Sequence, residues 1–137
     1  MSDPVSAALR TLVRSRPSRR CEYCLVHDRD ASVPHEPDHI IARKHRGPTE
    51  AENLAWACAA CNGQKGTDIA SIDPETDELV RLFNPRIDNW SSHFRIDGAL
   101  IAPRTAVGRV TEFLLQLNRF DRLANRRLLQ RAGRYPR

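Results

Sequence analysis

Apolar residues recur at helical spacing in Val5, Ala8, Leu9, Leu12 and Val13, which predicts a short amphipathic helix over residues 5–14. Arg16-Pro17-Ser18 breaks it. The next apolar stretches are shorter. Residues 35–41, ending in Ile40-Ile41, and residues 54–57 read as strands, joined by a polar loop over 42–52 that holds Gly47-Pro48. A helix begins at Asn62 and stays brief, because Gly63 and Gly66 limit it. Pro74 and its acidic neighbours predict a turn before a strand over 79–83. Asp97-Gly98 lies between Phe94-Arg95-Ile96 and Ala99-Leu100-Ile101, a hairpin signal. Residues 105–118 and 121–132 carry helical patterns broken near Asn118 and stopped by Gly133, with Leu114, Leu117, Leu123, Leu128 and Leu129 as core candidates. The sum is an α+β chain without internal repeats.

Composition narrows the class. At 137 residues, 40% hydrophobic but only 6% aromatic, the chain has a modest core that a structural ion would help to fold. No apolar run suits a signal peptide, and none approaches the roughly 20 residues of a membrane span. A cytoplasmic protein without a membrane partner is the expectation. The net charge of +5 is unevenly spread. Residues 1–46 carry nine Lys or Arg against six acids, residues 47–98 four against nine, and residues 99–137 nine against two. Nearly all the cations are Arg, whose fork suits bidentate contact with phosphate. Charge alone leaves a nucleic-acid partner and a solvated basic helix equally open.

Four cysteines sharpen this. Cys21-Glu22-Tyr23-Cys24 and Cys58-Ala59-Ala60-Cys61 are two CxxC pairs separated by 33 residues. Each short arc aims two thiolates at one ion, so the pairs can complete a tetrahedral zinc site. A redox dithiol, an iron site and disulfides are the alternatives. Between the pairs lie Asp38-His39 and Asn53, and Asn62 follows the fourth cysteine directly. Tyr23 is expected to pack over the metal site, Trp56 and Trp90 to be core, and His27, His35, His45 and His93 to have no catalytic role.

Asp38-His39-Ile40, Asn53-Leu54 and Cys58-x-x-Cys61-Asn62-x-x-Lys65-Gly66 resemble the HNH endonuclease family across residues 21–66. The last residue of the trio is Asn62, as in the HNN variant. Arg46-Gly47 stands where relatives often have Gly-Gly. Residues 67–109, with Ser71-Ile72-Asp73-Pro74, Asn84-Pro85-Arg86, Trp90, His93-Phe94 and Gly108-Arg109, resemble the tail of small stand-alone bacterial HNH proteins more weakly, since they carry no obvious chemistry.

The resemblance implies a ββα-metal fold pinned by zinc on Cys21, Cys24, Cys58 and Cys61, and a Mg²⁺- or Mn²⁺-dependent endonuclease acting on DNA. Three parts are expected: a helical arm over 1–20, the module over 21–70, and a hairpin with an Arg-rich helical extension over 71–137. An ordinary imidazole titrates at about 6.5, so His39 can take the proton of an attacking water. Asp38 points to the other side of the strand and, with Asn62, can hold a hard divalent ion. Asn53 is read as positioning the loop that presents His39, and Asn62 is alternatively a helix N-cap. Arg43, Lys44, His45 and Lys65 are the candidates for backbone phosphates. The rival of a different class is a non-catalytic zinc-ribbon adapter that binds nucleic acid.

Overall fold

A computed structural model describes residues 4–136. Helix α1 (Ala7–Ser15) is capped by Ser6, whose Oγ accepts from Leu9 N at 3.1 Å. It buries Val13 against Leu54 and Trp56, with Val5 and Leu9 alongside. Strands β1 (Glu36–His39) and β2 (Leu54–Ala57) pair antiparallel, placing Asp38 opposite Ala55 and His39 opposite Leu54. Strand alternation then sorts the side chains. Leu54 and Trp56 face α1, whereas Ala55 and Ala57 join the main core around the cysteines. Asp38 shares the core face, and His39 shares the α1 face.

Helix α2 (Ala59–Lys65) starts at Ala59 rather than at Asn62, because Cys58 is its N-cap and accepts from Cys61 N. Asn62 is therefore a mid-helix residue and not a cap. Gly66 ends the helix at φ +51°, which favours glycine. Two elements were not foreseen. Strand β3 (Ala70–Ile72) pairs with β4 (Leu79–Arg81) across the turn at Pro74. Helix α3 (Trp90–His93) is a single turn. Three residues reading Ala-Ser-Ile and one helical turn are too short to print a period.

The hairpin of β5 (Phe94–Asp97) and β6 (Leu100–Pro103) turns on Gly98-Ala99, one residue later than expected. Helices α4 (Ala106–Leu115) and α5 (Phe120–Arg131) separate where Gln116 takes the left-handed conformation. Asn118 ties that break to β6, exchanging bonds of 2.9 Å with Ile101 N and O.

One buried cluster joins the cysteines, Tyr23 and Ile40 to Phe83, Phe94, Ile101, Val110, Leu115 and Leu117, so the tail and the 21–70 segment share a core. The tail residues without obvious chemistry are the joints. Asp73, fully buried, receives both Arg109 Nε and Nη2 at 3.1 and 2.9 Å. Arg86 pairs with Glu22, and Trp90 Nε1 donates to Tyr23 O at 2.9 Å. A Cβ at Gly108 would lie 2.2 Å from His93 O, so only glycine fits there.

Leu128, a core candidate, is instead 60% exposed. The Arg-rich helix is stitched inward by its arginines. Arg126 is buried on Ala99 O, Leu117 O and Asn118 Oδ1, Arg119 pairs with Asp121, and Arg134 pairs with Asp30. Part of the basic tail thus turns inward, Arg126 most of all, whereas Arg119, Arg127, Arg131 and Arg134 stay exposed. No helix among the described residues is long and apolar enough to cross a membrane.

Candidate active site and metal centre

The two CxxC knuckles converge. The sulfurs of Cys21, Cys24, Cys58 and Cys61 all lie within 4.8 Å of one another, and no disulfide joins them. A tetrahedron with Zn–S bonds of about 2.3 Å has sulfur–sulfur edges of about 3.8 Å. Cys24 Sγ and Cys58 Sγ are 3.7 Å apart. Cys24 N points at Cys21 Sγ and Cys61 N at Cys58 Sγ (3.5 and 3.4 Å), the amide support that a thiolate accepts. Burial pushes the Cys21 thiol up, while hydrogen bonds from neighbouring sulfurs, Cys21 first, hold Cys24 well down. Four sulfurs this close cannot all carry charge in a buried place without a cation. The donor set therefore fits zinc.

Sequence reading missed one neighbour of this centre. Arg122, on α5, donates to Cys61 Sγ at 2.9 Å and lies 3.8 Å from Cys58 Sγ. A tetrathiolate zinc centre carries net negative charge, and Arg122 is positioned to offset it. Tyr135 Oη, from the C-terminal segment, donates to Cys24 O at 2.9 Å. Contacts 61 and 111 residues apart leave no local pattern.

At the C-terminal end of α2, Lys65 meets the Asp38–His39 pair of β1. Asp38 is buried, 5% exposed, with Lys65 Nζ at 3.2 Å and Tyr23 Oη donating at 3.3 Å. Burial pushes its carboxyl up, against the opposing pull of the Lys65 ammonium. Tyr23 therefore reaches the carboxylate besides packing beside the cysteines. Lys65, 1% exposed, also donates to His39 O at 2.9 Å. Its ammonium is the cation that Asp38 holds in this structure, and it is buried. Asn62 is one helical turn before Lys65 and so shares its face of α2. Its side-chain amide makes no hydrogen bond among the described residues.

His39 Nε2 and Thr49 Oγ1 share a hydrogen bond of 2.9 Å, a partner not foreseen. The loop between them is pinned by Asn53, whose Oδ1 accepts from Ile41 N and whose Nδ2 donates to Ile41 O and Pro48 O, at 2.8–2.9 Å. Asn53 thus braces the loop that delivers Thr49 to the imidazole. Within it, Arg46 adopts φ +72°, the conformation glycine favours, so the Arg-Gly sequence follows a Gly-type path. A Cβ on Gly47 would fall 1.7 Å from Ile41 O. Losing three bonds at about 1 kcal/mol each predicts that Asn53→Ala destabilises the protein by about 3 kcal/mol. Urea unfolding checks this, and a loss below about 1 kcal/mol would show that the loop closes without the amide.

Arg43, Lys44 and His45 occupy one exposed 3₁₀ turn, Arg43–His45. They form a basic surface separate from buried Lys65. Trp56 is core, 2% exposed, and Trp90 is half-buried. His27 accepts from Arg29 N and His93 shares a bond with Thr105 Oγ1, both structural.

Residues 21–68 match the family model described as HNH endonuclease. This matched segment holds all four cysteines together with Asp38, His39, Asn53, Asn62 and Lys65. No curated protein and no solved structure matches the chain.

Proposed function

We propose that the HNH segment makes this chain a metal-dependent endonuclease that hydrolyses DNA phosphodiester bonds, with His39 as general base. The observation that carries the reading is the division of labour across β1. His39 is fixed by Thr49 on one face of the strand, and Asp38 lies behind it on the face covered by α2. A base and a carboxylate held back to back cannot compete for one proton. They suit two tasks on one phosphate. The β1–β2–α2 unit is then a ββα-metal element, residues 1–20 its arm and residues 71–137 its bracing extension.

In this reading Asp38 and Asn62 would supply two oxygens to a divalent ion, Mg²⁺ or Mn²⁺, and such an ion would supply Lewis-acid charge for phosphodiester hydrolysis. The unengaged amide of Asn62 leaves that oxygen available. His39 accepts the proton of the attacking water at its ring, and Thr49 keeps the ring in one orientation. Lys65 pairs with the Asp38 carboxylate, which would have to serve the ion as well. Arg43 and Lys44 present cations, and His45 a ring nitrogen, to the strand beside the site.

One observation favours a second reading. Asp38 already has a cation in Lys65, as a zinc-ribbon adapter without hydrolytic chemistry would require. Supercoiled plasmid incubated with the zinc-loaded protein, with and without Mg²⁺, separates the two. Nicking only with Mg²⁺, lost in both Asp38→Ala and Asn62→Ala, is expected. Plasmid bound but uncut selects the adapter, and wild-type metal dependence in both variants moves the ion elsewhere.

A further inference from the structure

A second cavity, about 330 Å³, opens on the α1 side of the β1–β2 hairpin, away from Asp38 and the cysteines. Its floor is His35 and Trp56, and its walls include Arg10, Arg14, Arg19 and Arg29. One carboxylate, Asp28, also lines it. Asp28 is already shared between Arg14 and Arg19, at 2.9 and 3.0 Å. Arg10 pairs with Glu36 and lays its guanidinium 5.2 Å from the Trp56 ring centre. The Arg29 side chain has no ion-pair partner among the described residues. Four cations thus line a hollow with a single acid.

The floor is the unusual part. Trp56 Nε1 and His35 Nδ1 are both buried with no hydrogen-bond partner, although the two residues are only 2% and 1% exposed. An orphaned buried polar atom costs about 1–3 kcal/mol, so the indole N–H is a donor that an anion reaching the cavity floor would relieve. His35 Nε2 donates to Val26 O at 2.9 Å, which makes Nδ1 of a neutral ring an acceptor, so the donor offered to an anion is the Trp56 indole alone. An indole N–H under a ring of guanidinium forks is a donor set for an anion with several acceptor oxygens.

We propose that this cavity binds a phosphate group, supplied by the nucleic-acid backbone a few nucleotides from the scissile bond. The geometry gives the connection. Trp56, Leu54 and His39 share one face of the hairpin, and His35 precedes the same strand. His35 and His39 are four residues apart, about 13 Å at roughly 3.3 Å per residue. A strand seated at His39 reaches the cavity within a few nucleotides. The inference rests on the endonuclease reading only for its source of phosphate, and the cavity's own chemistry is independent of cleavage.

The test is done on the zinc-loaded full chain without Mg²⁺, so that nothing is cut. A short duplex and inorganic phosphate are each titrated while the two indole N–H resonances are followed, that of Trp56 being identified by its loss in Trp56→Phe. In parallel, duplex affinity is measured against salt for wild type and for Arg14→Gln/Arg29→Gln. The duplex is expected to move the Trp56 resonance, and the double variant to bind about 10-fold more weakly with a log–log salt slope shallower by about two. An unchanged slope and an unmoved Trp56 resonance with both probes overturn the proposal. A response to inorganic phosphate alone keeps the phosphate site but overturns the strand as its source. A Trp56 response to duplex in a protein that never nicks plasmid keeps the subsite while the endonuclease reading fails.

Discussion

His39→Ala lowers plasmid nicking by about 10²–10⁴-fold, the usual cost of removing a general base, while zinc content and duplex affinity stay near those of the parent. The imidazole is half-buried at the end of β1 and shares a hydrogen bond with Thr49 Oγ1. Its loss therefore removes little packing. Thr49→Val is the graded companion, because it leaves the base in place but frees its ring. A drop of about 10-fold is expected there, smaller than for His39→Ala, as befits a positioning residue. Single-turnover nicking rates at saturating Mg²⁺ make the comparison. If His39→Ala cuts at the parental rate, the base is another group and the division of labour across β1 has been misread.

Stripping the cysteine centre of its ion unfolds the protein, and Cys61→Ser has nearly the same effect. Structural zinc contributes apparent free energies of about 10–16 kcal/mol in small modules, against a total stability of about 5–15 kcal/mol for an ordinary domain. Here the four sulfurs sit inside the main core beside Tyr23, Phe83 and Leu115, so losing the ion removes the keystone of arm, module and tail together. Arg122→Met keeps the bulk of the side chain but removes the guanidinium from Cys61 Sγ. It is expected to speed zinc transfer to a chelator several-fold while leaving the secondary structure intact. Elemental analysis, thiol titration and circular dichroism report on all three. A metal-free protein with four titratable thiols and an unchanged cooperative transition would remove zinc from the account.

Much of this was legible before any coordinates. The CxxC spacings, Asp38-His39, and the distances to Asn53 and Asn62 are chelate and turn geometry, which acts over a few residues and so is written locally. Strand 54–57 and the two C-terminal helices follow from periodicity. Errors arose where local signals compete. Cys58 took the cap that Asn62 was offered, and Gly98-Ala99 took the turn expected at Asp97-Gly98.

By itself, then, the sequence determined the α+β class, the four sulfurs that can share one ion, and the residue trio that resembles an HNH site. Only the tertiary structure decided what surrounds them. It joined Lys65 to Asp38 across 27 positions, Thr49 to His39, Arg122 to Cys61 and Arg109 to Asp73. It also turned several arginines of a basic tail inward and left Trp56 Nε1 without a partner beneath a ring of others. The physical reason is range. Chain geometry specifies which atoms can meet within a knuckle or a turn, whereas buried charges find their partners only when packing closes distant segments and removes water.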